Sequence, residues 1–413
     1  RLGTSVDWNI SRFTMDEGLS DSVKKVFIDL YNKGLIYKDK RLVNWDPKLG
    51  TALSDLEVNQ IEKVGKMWFI KYQLENSTEN IVVGTTRPET IFGDSGIAIH
   101  PKNKKLNHLI GKKALIPILN KRIPIFADEY ADPEKGSGAV KITPAHDFND
   151  FEIGKKHDLE FVNILDKTAS LNKNTPKEYQ GLNRFVARKK LISELKKNNK
   201  ILKIVNNKMF LPVGDRSDEI IEPLLTFQWF LDTKKISIKV KKAIKEKKIV
   251  FHPNSWINTF KYWIENIEPW CISRQIWWGH RIPIWYSNNG LKIAAKSEEE
   301  AIDILKLKDE TDKILYQDED VLDTWFSSAL WPFSTLGWPE NDKLLKNFYP
   351  SNVLVTGFDI IFFWVARMVM MGLEFMNEVP FKNIYIHPLV KDEKGQKMSK
   401  SKGNVIDPLE LID

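Results

Sequence analysis

The sequence predicts an α/β protein built on a parallel sheet and interrupted by a separate, mainly β domain. Three observations carry this. Near the C-terminal end, an apolar run over 353–357, an apolar helical stretch over 360–376 and a second apolar run over 384–390 follow one another. Strand, helix and strand at that spacing imply a parallel crossover. Between about 51 and 213 the texture changes to short β-rich runs separated by turn residues. Beyond 215 the chain is aromatic and helical again.

The elements follow in order. Leu19, Val23, Val26, Phe27, Leu30 and Tyr31 fall at helical spacing and Gly34 follows, so an amphipathic helix is expected. The run 42–46 reads as a strand ending at Pro47. Inside the β-rich stretch, 67–74 and 81–83 read as strands, and 188–197 as a basic helix. The run 234–248 holds eight lysines, with Ile236, Val240 and Ile244 on one side. It predicts a helix with a wet basic face. Trp256, Trp263, Trp270 and Trp277 recur every seven residues, as do Trp278 and Trp285; Pro269 and Gly279 rule out one continuous helix, and most of these rings read as packing. The run 291–315 is polar and reads as a surface insertion.

Composition bounds the answer. With 413 residues and 42% hydrophobic content, more than one domain is expected. The apolar stretch 360–371 is broken by Arg367, too short for a membrane span. The single cysteine, Cys271, excludes an internal disulfide and a multi-cysteine zinc site. A net charge of +7 is compatible with a polyanionic partner. Both ends fall inside patterned segments, and a piece of a longer protein is expected.

Two segments of the β-rich stretch point to a ligand. They are Gly84-Thr-Thr-Arg-Pro-Glu-Thr90 and Gly136-Ser-Gly-Ala-Val-Lys-Ile-Thr-Pro-Ala-His-Asp-Phe-Asn-Asp150. Hydroxyls at Thr85, Thr86 and Thr143, cations at Arg87 and Lys141, and carboxylates at Asp147 and Asp150 can together bind an ammonium and a phosphate. No Ser-His-Asp or Cys-His arrangement stands out, so hydrolysis there would rest on a positioned water. The run Lys397-Met398-Ser399-Lys400-Ser401 crowds ammonium groups and hydroxyls between Gly395 and Gly403. Lysines so close repel one another unless solvated or facing an anion such as a polyphosphate. Gly357 and Asp359, on a strand-to-helix turn, can approach a nucleotide. Val321 and Trp325, four apart, can wall a small branched side chain, with Asp323 orienting that wall.

The lysine run resembles the signature loop of class I aminoacyl-tRNA synthetases. Thr14–Gly18 with Asn44–Pro47, Trp270–Trp285, Glu319–Ser328 with Trp331–Trp338, and Thr356–Met368 match further segments of that family in its order. Within the family, the Trp277-Trp278-Gly279-His280 and Asp323-Thr-Trp-Phe-Ser-Ser328 forms resemble the valine branch rather than the isoleucine branch. The resemblance implies the second half of a Rossmann-type parallel sheet with an inserted editing domain. It implies a connector over 1–50, the editing domain over 51–213 and the catalytic half over 214–413. It implies ATP with Mg²⁺, valine and tRNA(Val) as partners, no protein-bound zinc, no membrane, a monomer and a cytoplasmic place. Lys397 and Lys400 would stabilise pyrophosphate, with Ser399, Ser401, Gly357 and Asp359 at ATP and Val321 and Trp325 at the amino acid. Asp147 would hold the ammonium of a misattached amino acid and Asp150 its side-chain hydroxyl; Thr85, Thr86, Arg87, Lys141 and Thr143 would handle the terminal adenosine and its ester. His146 reads as structural or as a supporting donor. The family's His-Ile-Gly-His-type motif and its anticodon-binding domain are expected outside these residues. The isoleucine branch, a hydrolase acting only on mischarged tRNA, and a non-catalytic RNA-binding protein are the competing readings.

Overall fold

The structure is a computed structural model, which describes residues 3, 5–307, 313–340, 343–396, 398 and 403–412. Lys397, Ser399, Lys400 and Ser401 lie outside the described residues. The chain forms two compact units, one from 1–38 with 229–413 and one from Asp39–Gln228. The second is wider at both ends than the 51–213 stretch whose composition changes. The strands Ile36–Asp46 and Glu222–Leu231 run across both boundaries, so the divisions fall within strands where composition gives no sign.

In the first unit, Val250–His252, Phe381–His387 and Ser351–Gly357 form a three-stranded sheet in that order, and both pairings are parallel. The segment between the last two strands is helical from Phe358 to Phe375, including a wide turn over Ile361–Ala366. It buries Ile361, Val365, Met368 and Val369 completely. Helix Glu17–Asn32 starts at Asp16, whose carboxylate accepts the Leu19 N–H at 2.8 Å, and its buried face is Leu19, Val23, Val26, Phe27 and Leu30. Helix Thr233–Lys245 buries Ile236, Val240 and Ile244 and leaves most of its lysines in water. These faces join one core with Trp229, Phe260, Phe326 and Phe333.

The tryptophan repeat divides. Trp270 is buried, Trp256 and Trp263 pack on the core from helix Trp256–Glu265, and Trp277 and Trp278 are exposed at 101% and 68%. The polar run 291–315 is more than a surface loop. Lys292–Ala294 and Ile314–Gln317 flank Ile284–Ser287 in an antiparallel sheet, and helix Glu298–Lys306 closes a small core of Ile293, Ala295, Ala301 and Leu305. Four apolar residues spread among charged ones suffice once a strand and a helix face each other.

The second unit is mainly β. Its seven-stranded sheet includes Val58–Leu74, which pairs along its length with Ile201–Gly214 and, at its inner end, with Asn80–Thr85. Ile70, Tyr72, Val83, Ile97, Ile99 and Ile125 form its core, against which helix Arg184–Lys197 lays Ala187, Leu191 and Leu195.

Candidate functional site

The two ligand-suggestive segments of the second unit come together in space. Strand Asn80–Thr85 ends in a turn at Thr85–Arg87, where the Thr85 hydroxyl accepts the Arg87 N–H at 3.0 Å. Strand Ala139–Ile142 runs antiparallel to Gly96–Ile99 and delivers Lys141 and Thr143. Helix Phe148–Lys156 follows, capped by Asp147, which accepts the N–H groups of Asn149 and Asp150 at 2.8 and 3.1 Å. A short polar side chain in extended backbone just before the helix is what such a cap requires.

Asp150 is buried, and its carboxylate accepts the Thr143 N–H at 2.8 Å. Burial, then the charge of Asp147, pushes its carboxyl up to about 7, against the pull of Lys141. Near neutral pH it can therefore accept or donate a hydrogen bond. Asp147 is exposed. Tyr130 faces both carboxyls; burial and then their charges push its phenol up to about 12. Thr86 is half-buried at the turn.

The cations point inward. The Lys141 ammonium lies 2.8 Å from Asp94 and 3.0 Å from the Thr90 hydroxyl, and also donates to the Thr143 hydroxyl. Arg87 donates to the His146 carbonyl at 3.0 Å, pairs with Glu222 and lies 3.5 Å from Glu89. An alternating chain results: Arg188, Glu89, Arg87, Glu222, Arg184 and Glu219. Burial, then Arg87 and Lys141, holds the His146 imidazole well below its ordinary value. Its Nε2 accepts the Ile164 N–H at 2.9 Å, so the lone pair of that nitrogen is already used. Asp94, Tyr72, Tyr130, Glu89 and Glu222 escaped the motif reading. Glu89 lay inside a quoted segment, but only the fold pairs it with Arg188, 99 positions away.

In the first unit, Gly357 ends a strand of the parallel sheet and Asp359 lies in the helical turn that follows. A Cβ on Gly357 would sit 2.7 Å from the Asp359 carboxylate and 3.3 Å from Leu389, so a side chain at 357 would push the Asp359 carboxylate aside. The carboxyl ends of parallel strands, where such turns lie, are where open α/β sheets take ligands. Val321 and Trp325 do not share a helical face. Val321 is buried on strand Val321–Leu322, whereas Trp325 lies in helix Thr324–Ser328 and stacks on Phe363 at 5.3 Å. Asp323 caps that helix, accepting the Trp325 backbone N–H at 3.0 Å. Gly279, at φ +157, approaches Val321 closely: an added Cβ would lie 2.9 Å from its Cγ2.

The family model described as tRNA synthetases class I (I, L, M and V) matches residues 1–413, and the chain belongs to that family. Among individual proteins, it is similar to valine–tRNA ligases. It is 58% identical to that of Pelagibacter ubique over 414 residues, covering 100% of this chain and 47% of the relative. It is 56% identical to that of Legionella pneumophila over 413 residues (100% and 45%) and 54% identical to that of Caulobacter vibrioides over 433 residues (100% and 48%). The chain thus spans about half the length of the curated relatives it matches.

Proposed function

We propose that this chain is the central part of a valine–tRNA ligase that activates valine with ATP, transfers it to tRNA(Val) and hydrolyses threonyl-tRNA(Val). The supporting observation is identity above one half over the whole chain to ligases of that name. In this reading the valine carboxylate attacks the α-phosphate of ATP and pyrophosphate leaves; a tRNA hydroxyl then attacks the carbonyl of the resulting valyl adenylate and AMP leaves. Lys397 and Lys400 stabilise the leaving pyrophosphate, while Ser399, Ser401, Gly357 and Asp359 hold the nucleotide. Val321 and Trp325 line the valine pocket. Mg²⁺ would enter as part of the Mg²⁺–ATP substrate and offset phosphate charge; among the described residues no group of three or more His, Cys, Asp or Glu is arranged to hold a metal.

A pocket that accepts valine rejects threonine weakly, because the two differ by a methyl and a hydroxyl of similar size. The second unit answers this with a site that selects the hydroxyl. Asp147 binds the ammonium and Asp150 the hydroxyl. Thr85, Thr86 and the Lys141–Thr143 strand end shape the wall for the terminal adenosine, and Arg87 holds the backbone behind it. Water then cleaves the ester. No helix among the described residues is long and apolar enough to cross a membrane. By the family reading, the protein works in the cytoplasm as a monomer.

The test is amino-acid-dependent ATP–pyrophosphate exchange by the full-length protein with valine, isoleucine and threonine. Valine is expected to be the best substrate, and Lys400→Ala to slow the exchange. Preference for isoleucine would move the assignment to the isoleucine branch. Clearance of threonyl-tRNA without any exchange would favour a hydrolase.

A further inference from the structure

The carboxyl of Asp94 belongs to none of the roles assigned above. It follows the turn Pro88–Gly93 and is fully buried. One oxygen accepts the Lys141 ammonium at 2.8 Å and the Thr143 hydroxyl at 2.7 Å; the other accepts the Tyr72 hydroxyl at 2.6 Å. Tyr72 is itself fully buried. The turn before Asp94 is tight: a Cβ on Gly93 would meet the Val162 carbonyl at 2.9 Å. Backbone and side chain are therefore both fixed. With Asp94, Thr90 and Thr143 around it, Lys141 has an internal acceptor for each of its three N–H donors. It can act on a ligand only through its field and through the groups it holds. The Thr143 N–H in turn holds Asp150.

We infer that Asp94 is a positioning residue of this pocket: clamped by Tyr72, it fixes Lys141 and Thr143, and through the Thr143 backbone it sets the carboxyl of Asp150. The inference rests on the editing reading above. The charged and titratable groups facing Asp150 come from four elements. Asp147 stands on its own helix, Lys141 on strand Ala139–Ile142, Asp94 after the turn Pro88–Gly93 and Tyr130 beyond strand Arg122–Ala127. Asp147 and Asp94 favour the neutral carboxyl and Lys141 the anion. Asp94→Asn removes a negative charge and leaves the Lys141 charge unopposed. Both changes lower the pH at which Asp150 ionises. A group that merely filled space would scale the rate without moving that pH.

The experiment measures kcat/KM for threonyl-tRNA(Val) hydrolysis by the full-length protein across about pH 5 to 9, with folding checked by thermal melting. Asp94→Asn is expected to move the midpoint of the acid limb down by roughly one pH unit. Tyr72→Phe, which loses one hydrogen bond to Asp94 and no volume in the core, moves it the same way by less. Should Asp94→Asn not fold, Tyr72→Phe decides alone. Midpoints equal to the parent's in the folded variants overturn the inference, provided Asp150→Ala abolishes clearance. If Asp150→Ala clears threonyl-tRNA as fast as the parent, the editing reading itself falls and the inference with it.

Discussion

Asp150 in the β unit and Asp323 in the parallel-sheet unit are both buried aspartates beside helix starts, and their carboxyls move in opposite directions. Burial alone pushes both up. Asp323 answers burial with the guanidiniums of Arg274 and Arg367 at 2.9 and 3.4 Å and the Trp270 indole N–H at 3.0 Å, and it ends below the usual carboxylate range. Asp150 has one backbone N–H, the like charge of Asp147 and a lysine already neutralised by Asp94, and it ends at about 7. Between these two, the difference in pairing decides the sign; at Asp94 burial outweighs Lys141, Tyr72 and Thr143, and the carboxyl stays raised. The Asp323 carboxylate is a structural pin; that of Asp150 is left under-compensated, which suits the ligand-binding role proposed for it.

The largest test of this contrast is Asp323→Ala. It leaves two buried guanidiniums without their shared carboxylate and is expected to cost about 3–5 kcal/mol, read from the shift of the urea midpoint of the full chain. A loss below about 1 kcal/mol would mean that Asp323 is no pin. Next comes the pH dependence of stability. The folded chain binds the Asp150 proton more tightly than the unfolded chain, so this group's contribution is whole below about 4 and falls as pH rises to about 7. The fall is at most about 1.4 kcal/mol per pH unit, and Asp150→Asn should flatten it. Asp323 has the opposite slope: its stabilisation is present above the unfolded carboxylate value and is lost as pH falls through its lowered one.

Asp147 joins the two ideas, since it is both a helix cap and the neighbour that raises Asp150. Asp147→Ala should cost about 1 kcal/mol of stability by melting. Asp147→Asn should spare the cap yet still lower the ionisation pH of Asp150. Equal stability losses in the two variants would detach the cap from the side-chain oxygen. The smallest effect is expected at Lys208, 3.1 Å from Glu62 with both side chains more than half exposed. Lys208→Ala should change stability by less than about 0.5 kcal/mol in the same denaturation experiment.

Much of this was legible beforehand because it is local. The helix Glu17–Asn32, the helix Thr233–Lys245 and the strand–helix–strand run ending at Phe381–His387 follow from spacing and stop residues a few positions apart. The carboxylates Asp147 and Asp150 stood in a quoted segment, and a cap is written in neighbouring residues. The charge partners were not legible. Arg87 finds Glu222 across 135 positions, and Arg188 finds Glu89 across 99. That Val321 and Trp325, four apart, stand on different elements was not legible either, because the Asp323 cap starts a new helix between them.

Periodicity, turn chemistry and the order of the motifs thus pointed by themselves to a parallel-sheet part, a mainly β part, the longer helices and the family, since short-range backbone preference and burial of one face act within a few residues. Which carboxylate keeps its proton, which cation is spent internally and which tryptophan reaches water were decided only by the tertiary structure. Those properties depend on distances between segments far apart in the chain, and electrostatic energy in a low-dielectric interior is set by such distances.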